Sequence, residues 1–216
     1  MSALDGTAAS FDTASAARSL GDGTFTAVLR AEWAIGSHPH GGFLLALLAK
    51  TATAALTERG EPTAEPLVVS AEFLHPPALG PVLLRTDIRK VGRRATVVAV
   101  RLDPATAGYL SGRTTEPPRI RLWVRPRHGV PDPYFSLLAS DVNPPVVMNL
   151  GRVGWAPTVQ LTALLRTRPA PGWLRVVVES RSVHESWFDS DATVIDAQGR
   201  LVCQARQLGL APAPGP

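Results

Sequence analysis

The segment 43–57, FLLALLAKTATAALT, is apolar on nearly every side and is built from good helix formers. A helix of this kind is stable only when protein surrounds it, so the rest of the chain has to supply a wrapping layer. Nothing else in the N-terminal half is as hydrophobic, and GSHPHGG at 36–42 breaks the chain just before it. The segment is therefore read as a central helix covered by a sheet.

The wrapping strands are legible on both sides. A first strand is predicted over 24–33, and alternating runs follow at 67–74, 82–91 and 94–102. The short link Gly92-Arg93 makes the last two a hairpin. Residues 1–20 are small and polar and read as a loose lead-in. The turn-rich stretch 103–118 marks a module boundary.

Beyond it the plan repeats. A strand is expected over 119–127, a short helix over 134–141, and strands over 157–168, 173–184, 187–195 and 201–210, the last two joined by the turn 196–199. Segments 69–92 and 160–183 share a pattern: an alternating strand, a histidine or basic residue near a proline, a glycine about three residues later, then another alternating strand. A period this long is no solenoid, and it reads as a duplicated domain. The modules are set at 21–110 and 111–212, each with one strand, one apolar helix and three or four antiparallel strands.

Composition narrows the function classes. At 216 residues the chain can build a sizeable core, and its net charge of +4, carried mostly by arginine, suits anionic partners such as nucleic acid or a phosphate-bearing small molecule. Only 6% of residues are aromatic and no zinc-finger or RNA-binding signature is present, which speaks against nucleic acid. Arg119, Arg121, Trp123, Arg125 and Arg127 alternate with apolar residues, the pattern of a strand with one wet face. The first twenty residues lack a basic start followed by an apolar block, and no apolar run approaches the ~18 residues of a membrane span. A cytoplasmic protein without a membrane partner is expected. The one cysteine, Cys203, excludes an intrachain disulfide and reads as core rather than nucleophile.

Asp141 stands out chemically. It is the one acid at the end of the apolar run 134–139, and Pro144 and Pro145 stop the helix soon after. That places it at the helix end, half out of the core. On its own it fits either a helix-end aspartate bonded to backbone or a carboxylate kept for chemistry.

The pieces HGGFLLALLAKTA (40–52), SAEFLHPPALGPV (70–82), LLASDVNPPVV (137–147), WAPTVQLTALLRTRPAPGWL (155–174) and DATVIDAQGRLVCQARQLGL (191–210) occur in an order and spacing that resembles the acyl-CoA thioesterase II (TesB-like) family and the thioesterase-like proteins of actinobacterial type. The resemblance implies an α+β double hotdog, in which each of two tandem modules wraps an antiparallel sheet around a central helix. It implies hydrolysis of a fatty acyl-CoA thioester to free acid and CoA, in lipid metabolism; no cofactor and no metal are expected. Carried over residue by residue, its water-activating trio falls on Asp141, on Thr158 once one residue is inserted before Arg168, and on Gln207. His40, Gly41 and Gly42, at the start of the first apolar helix, fall where the family approaches its substrate. A homodimer or higher homo-oligomer is expected, since hotdog sheets have long edges that pair.

The chemistry agrees with the residue types. Hydrolysis without a covalent nucleophile needs a positioned water, a base and donors for the oxyanion. Asp141 suits the base, while the hydroxyl of Thr158 and the amide of Gln207 each offer an acceptor and a donor. On the last strand Leu201, Cys203, Ala205, Gln207 and Gly209 share one face, which makes Gln207 a polar group on an apolar surface. The stretch 103–118 departs from the family: either the first module lacks its last strand, or 119–127 serves both modules.

Two other readings stand beside the hydrolase. A duplicated hotdog can hold acyl-CoA or an acyl carrier protein without turnover. A MaoC-like hydratase carries approximately Ser-Gly-Asp-x-Asn-Pro-x-His, but here the glycine is missing and Val146 replaces the catalytic histidine. His38 and His40 lie two apart with no third metal ligand in sight.

Overall fold

The computed structural model describes residues 9–61, 65–91, 97–102, 119–150, 152 and 154–213. Among the described residues three α-helices, α1 (Phe11–Ala14), α2 (Gly41–Glu58) and α3 (Pro133–Ala139), are set among thirteen strands. Strands β1 (Arg18–Gly21), β2 (Thr24–Leu29), β6 (Gly80–Lys90) and β7 (Val97–Leu102) form one antiparallel sheet in the order β1-β2-β6-β7. Two short strands, β3 (Ala34–Ile35) and β4 (His38–Pro39), pair with each other just before α2.

The second sheet holds β5 (Val68–Glu72), β8 (Arg119–Val124), β9 (Thr158–Leu165), β10 (Leu174–Glu179), β12 (Trp187–Ile195) and β13 (Leu201–Leu210), with β11 (Val183–His184) paired to β12. Its order is β5-β9-β13-β12-β10-β8. The C-terminal half thus contributes five main strands, wrapped over α3, and the N-terminal half supplies β5 at the far end. Because β5 runs antiparallel to β9, with Val68 opposite Leu164 and Glu72 opposite Gln160, backbone hydrogen bonds tie the two halves together.

The central helix forms for the reasons its sequence suggests. His40 caps its start by accepting a hydrogen bond from the Phe43 N–H at 3.3 Å. Its C-terminus closes on Gly60, at φ +70°, with the Gly60 N–H donating to Thr57 O and the Glu61 N–H to Leu56 O. Every residue from 42 to 47 is buried, which an apolar perimeter permits and an amphipathic one would not. α3 starts at Asp132, whose carboxylate accepts from the Phe135 N–H at 2.6 Å, with Pro133 in the first helical position. One continuous core joins α2 and α3 to both sheets.

Several expectations change, and the strand expected over 173–184 splits into β10 and β11. The lead-in is not loose over its described part: α1 and β1 lie within it, and Phe11 is buried against Trp33, Phe43 and Phe135. The first strand stops at Leu29, where Ala31–Trp33 turns into a 3-10 helix. The strand at 119 serves the second module alone among the described residues, pairing with β10 at the sheet edge. Finally, the face of β13 is not continuous. The register slips between Val194 and Ile195, so Val202 and Cys203 are both buried while Leu201 is 37% exposed. The link 92–93 and the stretch 103–118 lie outside the described residues.

Candidate functional site

The site forms where the end of α3 meets the start of α2. The two helices lie together so that Asp141, two residues past α3, faces the first turn of α2. The glycines there are a requirement of distance: a Cβ on Gly41 would lie 2.6 Å from Asp141 Oδ2, and one on Gly42 would lie 2.8 Å from both Asp141 Cβ and Leu138 O. No other residue lets the carboxylate approach the helix backbone so closely.

Asp141 is held from two sides. Its Oδ2 accepts the Gly42 N–H at 2.6 Å, at the positive end of an 18-residue helix, and its Oδ1 accepts from Gln207 Nε2 at 3.0 Å. His40 Nδ1 stands 3.9 Å from Oδ2. The side chain is 11% exposed, more enclosed than a helix-end position suggested. Burial pushes its carboxyl above the ordinary carboxylate range, outweighing the opposing pull of His40, the Gly42 N–H and Gln207.

Gln207 reaches Asp141 from β13. Its Nε2 also donates to Thr158 Oγ1, at the first residue of β9, so the structure brings all three trio residues into one hydrogen-bonded cluster. Thr158 accepts from Gln207, which leaves its own O–H to donate onward. A further residue completes the set. Ser190 on β12, 3% exposed and directly across from Gln207, donates its hydroxyl to Gln207 Oε1 at 3.1 Å.

Sequence reasoning missed Ser190 for an identifiable reason. Counting outward from the 196–199 turn sets Ser190 opposite Arg206, and only the slip at Val194/Ile195 moves it opposite Gln207. Nothing in the residue types marks that bulge.

An open cleft runs past the cluster, touching His40, Gly41, Asp141, Thr158 and Gln207. Its remaining wall is mostly apolar and includes Ile35, Pro39, Met148, Trp155 and Phe188. The expected substrate contacts divide here: His40 and Gly41 line the cleft, whereas the Gly42 N–H is turned to Asp141. His40 uses Nδ1 as the acceptor for Phe43, so its neutral form carries the proton on Nε2, which is buried and without a hydrogen-bond partner among the described residues. Val146, where a hydratase would place its histidine, is fully buried in a small satellite core. Cys203 is also buried, which pushes its thiol up to about 12 and leaves it inert as a nucleophile.

Comparison with known proteins agrees with this architecture. Residues 29–115 match the family model of the acyl-CoA thioesterase N-terminal domain, and residues 86–211 match that of the C-terminal domain. An uncharacterised protein of Mycobacterium tuberculosis is 32% identical over 265 aligned residues, covering 88% of this chain and 91% of the relative. Among solved structures, a candidate thioesterase II from Thermobifida fusca YX superposes with a TM-score of 0.78 at 26% identity, covering 93% of this chain and 97% of that one. A hot dog fold protein of unknown function from Alicyclobacillus acidocaldarius has a TM-score of 0.76 at 19% identity, covering 95% and 98%. The tesB protein of Mycobacterium avium subs paratuberculosis has 0.73 at 21% identity, covering 94% and 98%. The last two bear on the fold alone, and the fold they share is the double hotdog.

Proposed function

Because this chain belongs to the acyl-CoA thioesterase family and is a thioester hydrolase, we propose that it converts fatty acyl-CoA to free acid and CoA through a water activated by Asp141, Thr158 and Gln207. The observation that carries this reading is the cluster itself: an enclosed carboxylate and a hydroxyl, distant in sequence, both bonded to one amide beside a largely apolar cleft.

In the reaction, Asp141 takes a proton from water as the water oxygen attacks the thioester carbonyl carbon. The carbonyl becomes an oxyanion, for which the Gly41 N–H, in the first turn of α2 beside the cleft, can serve as donor. Collapse breaks the C–S bond, and the Asp141 carboxyl returns its proton to the departing thiolate. Water has been consumed, and one acid and one thiol leave.

Each neighbour of Asp141 has a part in this. Gln207 donates to the carboxylate and to Thr158, so the Thr158 O–H is left to point at the water and orient it. A raised carboxyl pKa brings the base closer to the operating pH, which improves proton transfer in both directions. The apolar cleft wall suits an acyl chain, with Phe188 and Met148 shaping its space. His40 and Gly41 are read as substrate contacts. Among the described residues no helix is long and apolar enough to cross a membrane. A cytoplasmic location, a homo-oligomer and modules dividing near 110 accompany this proposal, as does an acyl carrier protein as an alternative donor of the acyl group.

The test is thiol release from acyl-CoAs of several chain lengths, with Asp141→Ala as control. Turnover that peaks at one chain length and disappears in the variant supports the reading. Background release at every chain length favours a non-hydrolytic acyl binder.

A further inference from the structure

We infer that Ser190 is a positioning residue for this hydrolysis, fixing which way round the Gln207 amide sits; the inference rests on the proposed role of the Asp141 cluster. An amide carries a donor and an acceptor at its two ends, and a half-turn exchanges them. In the observed orientation Nε2 faces Asp141 and Thr158, and Oε1 faces Ser190. The reverse would aim a carbonyl oxygen at a carboxylate.

While Asp141 is ionised, its charge alone selects the observed orientation. Catalysis removes that selection, because Asp141 holds the water's proton between attack and collapse. A carboxyl O–H donates as readily as it accepts, so Gln207 could then turn its oxygen toward it. Such a turn would also withdraw the donor from Thr158, freeing its hydroxyl to spend its proton on Gln207 rather than on the reacting oxygen.

Ser190 opposes the turn in that state. Its hydroxyl has Gln207 Oε1 as its acceptor among the described residues, it is buried at 3% exposure, and its backbone sits directly opposite Gln207 in the ladder between β12 and β13. A reversed amide would leave the Ser190 proton buried without a partner, which is unfavourable. The bulge at Val194/Ile195 is what brings the two residues opposite each other. Hydrogen bonds therefore run in one direction, from Ser190 to Gln207 and from Gln207 to both Asp141 and Thr158.

The experiment is a cycle of Ser190→Ala, Gln207→Ala and the double variant, with kcat and KM measured from pH 4 to 9. Ser190→Ala is expected to lower kcat about 3- to 10-fold, the value of one neutral hydrogen bond, with KM unchanged. Its acid limb should move to higher pH, because without Ser190 the amide can turn to accept from the protonated Asp141 carboxyl and so stabilise that form. In the Gln207→Ala background the serine change should have no further effect on kcat, since it acts only through the amide. Ser190→Cys, which keeps a weak donor of similar size, should recover part of the loss. Additive losses in the double variant, or a Ser190→Ala protein with wild-type kcat and acid limb, would overturn the inference and leave the hydrolase reading standing. Wild-type protein that releases no thiol from any acyl-CoA would overturn both.

Discussion

At the scale of single residues, the proposed role of Asp141 carries a stability cost. Its folded-state pKa is raised, so the folded protein resists its ionisation, and at neutral pH the buried charge subtracts from stability. The penalty fades as pH falls through the folded pKa toward the ordinary value of 3.8, because the carboxyl then carries its proton in both states. Asp141→Asn removes the charge and keeps the shape. The introduced amide can accept the Gly42 N–H through its oxygen while Gln207 turns to accept from its nitrogen; this strands the Ser190 hydroxyl proton, a cost of about one hydrogen bond that removal of the buried charge offsets. The variant should lose about 10²- to 10⁴-fold in kcat, yet melt no lower than wild type at pH 7, with any advantage shrinking toward pH 4; a melting scan at both values checks this. Cys203 gives a second residue-scale outcome. With its thiol pushed up to about 12 by burial, native protein at pH 8 should resist maleimide that labels it readily in denaturant, as intact-mass measurement will show.

At the scale of elements, the site depends on how closely α3 can approach α2 and on one tight turn. Gly42→Ala would bring a methyl within 2.8 Å of Leu138 O, backbone that cannot swing aside. The helices would have to part, so the variant should lose both stability, about 1–3 kcal/mol, and activity, read by denaturant titration and thiol release. The turn after β12 is organised by Asp196. Burial raises its pKa, but the N–H groups of Ala170, Arg200 and Gln198 and the Arg200 guanidinium outweigh burial and bring it down to about 2. A depressed carboxylate stabilises fully above its ordinary value of 3.8, and that contribution is lost as pH falls toward 2. Asp196→Ala should therefore cost about 3 kcal/mol at pH 7 and progressively less in acid, as denaturant titration across that range will show.

The same elements explain what the sequence made legible. α2 was readable because an all-round apolar helix has one interpretation, and β12 and β13 because alternation and a turn bracket them. Asp141, Thr158 and Gln207 were named through the family resemblance, and Gln207 is hydrogen-bonded to each of the other two. Phe11 was hidden by its small polar neighbours, since a single aromatic in such a segment gives no periodicity. Ser190 was hidden by the bulge, and the reason for Gly42 by a contact 99 residues away.

At the scale of the whole molecule, the two halves share one core and one hydrogen-bonded seam between β5 and β9. The site belongs to neither half alone: α2 and the residue before it contribute His40, Gly41 and Gly42, while the C-terminal half contributes Asp141, Thr158, Ser190 and Gln207. Halves that cannot separate should unfold together, so calorimetry should record one cooperative transition whose calorimetric and van't Hoff enthalpies agree. Two resolved transitions would mean independent modules.

The measurement closest to the central claim is a paired one on Asp141→Asn: acyl-CoA affinity by titration calorimetry and thiol release under the same conditions. The account predicts wild-type affinity within a few-fold and turnover reduced about 10²- to 10⁴-fold. Turnover within about tenfold of wild type, with binding intact, would show that hydrolysis proceeds without this carboxylate and would contradict the account.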